Sequence, residues 1–341
     1  MVIDAISSAE DVENMQTSFT SDETNKPTLL TSGAASGNGG GSFVSPLRYP
    51  GGKGRLGPWM ASVLKTNDLE GGCYVEPYAG GAGVALYLLL RKHVRRIVIN
   101  DADPVVYAFW RTIVQEPEAL IHEIQTRAPT METRTFAKNV LENMGKHSTS
   151  EIAFATFFLN RTSRSGILKG GVIGGKAQNG KYKLDARYNR NDLIARIQAI
   201  AAERNHIDVY GLDAIDFLKK VDPNLPKKSL IYLDPPYYLK GSQLYRNFYE
   251  HKDHIDVATV AKGLTHPTLI TYDDAPEIRK MYKGMKSTLL SLHYSTHTER
   301  PLTSEVMFYA GLTLPMPPTM TRGERLGLPK RSNSSQQIRA A

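Results

Sequence analysis

Short runs of β-branched and aromatic residues alternate with longer stretches of helical periodicity along the middle of the chain. The first runs predict β-strands at Cys73–Glu76, Arg96–Asn100, Ile207–Tyr210, Ser229–Leu233 and residues 268–272. The stretches between most of them predict crossover helices at residues 84–91, 104–114, 213–220, 253–264 and 276–282. This alternation favours a doubly wound α/β domain, in which a largely parallel sheet is covered on both faces. Two further runs without a helix between them predict an antiparallel edge at residues 287–293 and 305–309.

One long interval breaks this alternation. Residues 116–204 are almost entirely helical in pattern around a Gly-rich basic loop, and they contain no convincing strand. We therefore predict an inserted, mostly helical domain at 116–204, between the two parts of the α/β domain at 43–115 and 205–314. Residues 1–42 are rich in Ser, Thr, Asn, Gly and acidic residues and predict a disordered leader. The sequence PMPP at 315–318 and the polar residues after it predict a disordered basic tail at 315–341.

Charge and cysteine content narrow the class of protein. The chain carries a net charge of +8, but the first 42 residues hold six acids and one base, so residues 43–341 carry +13. Such a surplus favours a polyanionic partner, although many basic proteins never contact nucleic acid. The single cysteine, Cys73, excludes an internal disulfide, and the histidines show no zinc-site spacing. The longest apolar run, at 84–90, is too short to span a bilayer, so we expect a soluble intracellular protein.

The first predicted strand runs into a glycine-rich turn with the sequence YVEPYAGGAGV at 74–84 and then into a helix. This arrangement lets the backbone approach a nucleotide-like ligand closely. The dinucleotide fingerprint is absent, and Glu76 directly before the turn suits a cationic ligand without phosphate, such as S-adenosylmethionine. A turn required only by the strand-to-helix geometry is the open alternative. Asp101, after the next strand, is a candidate for binding ribose hydroxyls, whereas helix capping better suits Asp103.

The most informative segment is LIYLDPPYY at 230–238, where an acid, two prolines and two aromatics follow a buried type of strand. A rigid Asp-Pro-Pro turn could be purely structural, but aromatic rings at the carboxyl edge of a parallel sheet lie where ligands bind. We therefore favour a functional site at Asp234. The segment EHKDH at 250–254 has two histidines at metal-ligand spacing without a third ligand nearby, so we predict no metal site there and Asp253 as a helix cap.

Residues 234–237 match the Asp-Pro-Pro-Tyr signature of DNA amino-methyltransferases, and the chain resembles the Dam-like N6-adenine group of the alpha class. Three further segments resemble this family in the expected order: PLRYPGGK at 46–53, the glycine loop at 76–84 and Asn100-Asp101. The likeness covers residues 43–311. The chain departs from the family pattern at Ala82, where the loop's second glycine is expected, and at TYDD in 271–274, where many relatives have Ser-Asn.

The resemblance implies a Rossmann-like S-adenosylmethionine-dependent methyltransferase domain with an inserted DNA-recognition domain. It implies site-specific methyl transfer to the exocyclic amine of a flipped-out adenine, without a metal. The implied catalytic residues are Asp234, Pro235, Pro236 and Tyr237. The implied cofactor-binding residues are Tyr49, Lys53, Glu76, Pro77, Tyr78, Ala79, Gly80, Gly81, Gly83, Asp101, Asp213 and Asp234. Lys53 could equally contact a phosphate.

A basic segment at residues 160–190 holds eight Lys or Arg against one acid and is the predicted DNA-facing surface. Its basic residues are Arg161, Arg164, Lys169, Lys176, Lys181, Lys183, Arg187 and Arg190. The small polar residues predicted to reach base edges are Asn160, Thr162, Ser163 and Ser165. A solvated mobile loop is the alternative. Tyr245, Phe248 and Tyr249 have no assigned role.

We expect double-stranded DNA as the partner of a monomer that does not bind membranes and acts in the cytoplasm of a bacterial host, at the nucleoid. The resemblance leaves open a companion restriction endonuclease. Two alternative functions remain: a weakly active or inactive DNA-binding relative, because of Ala82 and residues 271–274, and an RNA adenine methyltransferase. Cofactor calorimetry distinguishes the first alternative, and competition between RNA and DNA distinguishes the second.

Overall fold

The structure is a computed structural model that describes residues 44–49, 52–239, 249–292, 303–315 and 319–320. Its centre is an eight-stranded sheet of order β3-β2-β1-β4-β5-β7-β6-β8. The strands are β1 Cys73–Glu76, β2 Arg96–Asn100, β3 Ile207–Tyr210, β4 Ser229–Leu233, β5 Thr268–Asp273, β6 Lys286–Leu292, β7 Thr303–Ala310 and β8 Thr319–Met320. Strands β1 to β5 pair in parallel, and β7 lies antiparallel between β5 and β6. The fold is therefore a mixed, parallel-dominated α/β fold.

Helices of the described residues connect and cover these strands. They are α1 Gly57–Thr66, α2 Gly83–Leu90, α3 Pro104–Gln115, α4 Pro117–Thr126, α5 Met131–Glu142, α6 Thr149–Thr162, α7 Arg190–Ala201, α8 Ala214–Val221, α9 His251–Lys262 and α10 Pro276–Met281. The chain builds β1, β2 and β3 outward in one direction and then returns to β4 on the other side of β1. The strand order thus reverses between β1 and β4, and ligands of such sheets bind at the carboxyl ends beside this point.

Alternate residues of the strands face two hydrophobic clusters, as a doubly wound sheet requires. Tyr74 and Ile97 belong to one cluster, whereas Val75 and Val98 belong to the other. Helices from residues 117–201 share the first cluster with the sheet, where the Phe157 ring of α6 stacks on Phe109 of α3 at 6.2 Å. The predicted division into a catalytic and an inserted domain stays a prediction, since this packing is continuous.

The predicted α/β architecture is confirmed. The first four predicted strands have the predicted bounds, β5 extends one residue further to Asp273, and the antiparallel edge is present. Two details were wrong. Helix α1 was not predicted. Helix α9 was predicted to begin at residue 253 with Asp253 as its cap, but it begins at His251 and its cap is Glu250. Asp253 lies in the first turn, where it accepts a 2.8 Å hydrogen bond from the Glu250 backbone N–H. The predicted leader at 1–42, most of the tail at 315–341, Tyr245 and Phe248 lie outside the described residues.

Candidate active site

Asp234 lies at the carboxyl end of β4, next to the end of β1, at the point where the strand order reverses. All five residues of β4 are buried, which is why this segment forms a central strand. Pro235 and Pro236 have no backbone N–H and cannot continue a hydrogen-bonded ladder, so the chain leaves the sheet there. The Asp234 side chain is 22% exposed and is therefore reachable from the sheet edge.

A buried polar network surrounds this carboxylate. The Lys53 ammonium lies 3.1 Å from Asp234 Oδ1, 3.1 Å from the Tyr237 hydroxyl oxygen and 3.2 Å from Glu305 Oε2. The Tyr237 hydroxyl donates to Glu305 Oε1 at 2.6 Å, and the Thr271 hydroxyl donates to Asp234 Oδ1 at 2.7 Å. Because the Lys53 side chain is 3% exposed, its charge needs these partners. The structure thus brings Lys53 from the amino-terminal motif into contact with the Asp-Pro-Pro-Tyr motif.

Asp273 and Asp274, which had no role from the sequence, have different contacts. Asp273 Oδ1 accepts a hydrogen bond from the Tyr238 backbone N–H, and Oδ2 accepts one from the Leu239 N–H, both at 2.8 Å. Asp274 instead pairs with the Arg279 guanidinium of α10. Asp273 therefore fastens the segment after the two prolines to the end of β5.

Two residues hold the glycine turn between β1 and α2. The Gly80 N–H donates to Asp101 Oδ2 at 2.8 Å, and its carbonyl accepts from Trp110 Nε1 at 2.9 Å. Gly80 has a φ of +46°, and a Cβ there would lie 2.8 Å from the Tyr49 ring. Tyr49 thus packs directly on the turn, which requires glycine at this position.

Ala82 and Gly83 are the residues at which the glycine turn departs from the family's loop pattern. Ala82 adopts the left-handed conformation with a φ of +46°, where glycine is the ordinary residue. A Cβ on Gly83 would lie 3.0 Å from Gly54 Cα, so this glycine allows the loop to approach Gly54, the residue after Lys53, closely. The backbone at position 82 therefore keeps a positive φ although the residue in this chain is alanine.

Glu76, the acid before the turn, is 4% exposed and accepts a 3.1 Å hydrogen bond from the Ala85 N–H in the first turn of α2. Burial raises the pKa of Glu76 to about 8. The side chain is thus directed at the amino end of α2, where its oxygen satisfies an unpaired N–H.

Carboxylates follow β2 and β3 at the same edge of the sheet. Asp101 accepts backbone hydrogen bonds from Gly80 and, at 2.9 Å, from Asp103, and burial raises the pKa of Asp101 to about 7. Asp103 caps α3 through the Val105 N–H, as its capping alternative predicted. Asp213 is exposed and caps α8 through the Ile215 N–H at 2.8 Å. Asp101 therefore braces the glycine turn, and Asp213 caps its helix.

An aromatic cluster packs behind the motif. His254 is 1% exposed, its Nδ1 lies 3.0 Å from the Tyr272 hydroxyl, and its ring contacts Tyr238 at 5.2 Å between centroids. Burial lowers the pKa of His254 to about 4, so the ring is neutral at pH 7. Tyr78 and Tyr249 join this side, with their hydroxyl oxygens 3.2 Å apart. No group of side chains that could hold a metal occurs among the described residues.

Most of the basic segment faces solvent. The exposed members are Arg164, Lys169, Lys176, Lys181, Lys183 and Arg187. Arg161 and Arg190 are half-buried and donate to the carbonyls of Arg187 and Arg127. Burial lowers the pKa of Arg161 to about 10. Tyr182, which sequence reasoning did not single out, is 64% exposed within this segment and has the Lys181 ammonium 5.8 Å from its ring centroid.

The prediction that Asn160, Thr162 and Ser163 reach base edges is wrong, because all three are at most 3% exposed. The Asn160 amide pairs with the Arg48 backbone, accepting from its N–H and donating to its carbonyl at 2.8 Å each. The Arg134 guanidinium binds the hydroxyls of Thr162 and Ser163. These polar side chains satisfy buried partners, whereas Ser165 is exposed.

Residues 49–298 match the model of the D12 class N6 adenine-specific DNA methyltransferases. The chain belongs to this family. The match begins inside the amino-terminal motif and includes the glycine turn and the Asp-Pro-Pro-Tyr motif, so the Dam-like resemblance is confirmed. In the described residues of this family member, no helix is long and apolar enough to cross a membrane.

Two curated relatives and one solved structure are similar to this D12 family member. The Type II methyltransferase M.MjaIII of Methanocaldococcus jannaschii is 23% identical over 56% of this chain and 68% of its own. Modification methylase StsI of Streptococcus sanguinis is 24% identical over 57% of this chain and 29% of its own, so the chain spans less than a third of StsI. The rRNA methyltransferase aviRa of Streptomyces viridochromogenes aligns over 77% of this chain and 86% of its own, with 13% identity and a TM-score of 0.37.

Proposed function

We propose that the protein is an S-adenosylmethionine-dependent DNA methyltransferase that modifies the N6 amine of an adenine flipped out of a duplex. The observation that carries this proposal is the Asp234 carboxylate, fixed by Lys53 and Thr271 yet 22% exposed at the reversal point of the sheet. A fixed acceptor beside a glycine turn suits an amine that must be oriented before it reacts.

The residues at the sheet edge fit S-adenosylmethionine, a cation that carries ribose hydroxyls. Asp101 accepts one backbone hydrogen bond on each oxygen, which leaves acceptor capacity for hydroxyl groups. The exposed Asp213 would contact the adenine of the cofactor through the oxygen that does not cap α8. Tyr49 would cover the bound molecule next to Gly80. When bound, the cofactor supplies an electrophilic methyl group.

Asp234 and Pro235 improve the amine as a nucleophile. The adenine amine reacts poorly because its lone pair is delocalised into the ring. The Asp234 carboxylate and the Pro235 carbonyl would accept its two hydrogens, which draws the nitrogen toward tetrahedral geometry and directs its lone pair. Asp234 would also take up the proton that the amine loses when it gains the methyl group. The Tyr237 ring, held by its hydroxyl, would stack on the base.

The exposed basic segment supports a nucleic-acid substrate. Its solvent-facing Lys and Arg side chains would contact phosphates, which supply most of the affinity without reading sequence. Flipping the adenine costs a few kcal/mol, and stacking on an aromatic ring offsets much of that cost.

The test is methyl transfer from labelled S-adenosylmethionine to mixed-sequence duplex DNA, with N6-methyladenine measured by chromatography of the digested product. Asp234→Ala should abolish transfer and leave DNA affinity within about twofold, because the base amine is the one DNA group that this carboxylate is proposed to contact. Asp216→Ala, an exposed acid of α8, is the matched control and should behave as wild type. The absence of N6-methyladenine with wild-type protein at every salt concentration contradicts the proposal.

The left-handed alanine at 82 favours one second candidate, a DNA-binding relative with weak turnover. The strain at this residue would weaken the cofactor site without affecting the basic segment. Calorimetry distinguishes the two, because the weak relative binds DNA but takes up little S-adenosylmethionine. Adding RNA to the transfer assay as a competing substrate tests whether adenine in RNA is methylated instead.

A further inference from the structure

Glu305 is a buried acid outside the segments that carry the family resemblance. It belongs to β7, the antiparallel strand, and it follows the end of the family match at residue 298. In the pairing of β5 with β7, Glu305 stands opposite Asp273. The strand register therefore places a second carboxylate beside the one that fastens the catalytic segment.

The contacts of Glu305 are with the catalytic residues. One carboxylate oxygen accepts the Tyr237 hydroxyl hydrogen at 2.6 Å, and the other lies 3.2 Å from the Lys53 ammonium. The whole residue is 2% exposed. A carboxylate so buried is costly unless each oxygen has a charged or hydrogen-bonding partner, and these two contacts provide them.

We propose that Glu305 is a positioning residue that holds Tyr237 and Lys53 and keeps Asp234 available as an acceptor for the substrate amine. This inference rests on the proposed function. Lys53 lies at nearly equal distances from the two carboxylates, 3.1 Å from Asp234 and 3.2 Å from Glu305. One ammonium shared by two carboxylates leaves a net negative charge in the cluster.

The shared ammonium explains why a second acid is needed. With Asp234 as its sole anionic partner, Lys53 would form a neutral pair with it and compete with the amine for the carboxylate oxygens. Glu305 draws the ammonium in the other direction. The same residue fixes the Tyr237 hydroxyl and therefore the plane of the ring proposed to stack on the base.

The experiment compares Glu305→Gln with wild type in the full-length protein. Gln keeps the size of the side chain but removes its charge, so kcat should fall by at least roughly tenfold, while KM for DNA and for S-adenosylmethionine changes by less than about twofold. Glu305→Asp keeps the charge and should recover part of kcat. Glu277→Gln, an exposed acid of α10, is the matched control and should equal wild type.

A second measurement does not depend on methyl transfer. Hydrogen–deuterium exchange of the peptide covering 234–239, measured without substrate, should be faster in Glu305→Gln than in wild type and unchanged in Glu277→Gln. If Glu305→Gln does not fold, Tyr237→Phe removes the same hydroxyl bond and is expected to accelerate the same exchange.

The outcomes separate the two claims. A wild-type protein without transfer activity contradicts the proposed function, while faster exchange in the variant still supports the positioning role. Unchanged exchange overturns that role whatever the activity is. In an active protein, an unchanged kcat in Glu305→Gln, or a loss that appears entirely in KM, also overturns it.

Discussion

Asp273 holds the segment after the two prolines by hydrogen bonds to two backbone N–H groups, at Tyr238 and Leu239. Asp273→Ala removes both acceptors. A hydrogen bond to a charged group contributes about 1.5–3 kcal/mol, and because Asp273 is half-exposed, water replaces part of each bond. We therefore expect the free energy that holds this segment in place to fall by about 3 kcal/mol, which is the lower limit for two such bonds.

This loss should reduce kcat/KM about 100-fold, because each 1.4 kcal/mol of lost positioning corresponds to about one factor of ten. The assay is initial-rate methyl transfer to duplex DNA, with circular dichroism as the check on the fold. Asp273→Asn keeps one acceptor oxygen and should lie between alanine and wild type. Asp274→Ala is the neighbouring control; its pair with Arg279 is at the surface and is worth about 0–1 kcal/mol.

The reasoning would be refuted by an Asp273→Ala protein that retains wild-type kcat/KM. It would also be refuted if Asp274→Ala lost as much activity as Asp273→Ala, because the effect would then come from the end of β5 as a whole. Thermal denaturation of both variants shows whether a loss of activity follows a loss of global stability instead.

Three further predictions concern the glycine turn, pH and DNA. Gly80→Ala should reduce stability by about 1–2 kcal/mol and weaken cofactor binding in calorimetry, whereas Gly145→Ala, with open space for its Cβ, should do neither. Burial raises the pKa of Glu76 to about 8, so the contribution of this side chain to stability is full at low pH and is lost as the pH rises toward 8. The Tm of wild type should therefore fall more than the Tm of Glu76→Gln as the pH is raised from low values to 8. Lys176→Ala and Lys181→Ala should each lower the salt dependence of DNA binding by about one unit of slope, and unchanged slopes would exclude them from the interface.

Local patterns predicted the strands and the position of the motif. The bounds of β1 and β4 follow from short apolar runs, and the chain direction changes after Asp234 because prolines cannot remain in a ladder. The capping role of Asp103 was also visible, since Asp before Pro at a helix start is a local signal. Each of these features depends on residues within a few positions of one another.

Tertiary packing decided which polar side chains serve the site. Asn160 has the sequence context of a surface loop but is buried against the Arg48 backbone, 112 positions away. Glu305 reaches Tyr237 across 68 positions, and Asp273 reaches Tyr238 across 35. Such contacts have no local signature, because burial and partners depend on which strands and helices meet. By itself the sequence determined the architecture and the Asp-Pro-Pro-Tyr motif; the arrangement that supports the motif exists only once the sheet is assembled.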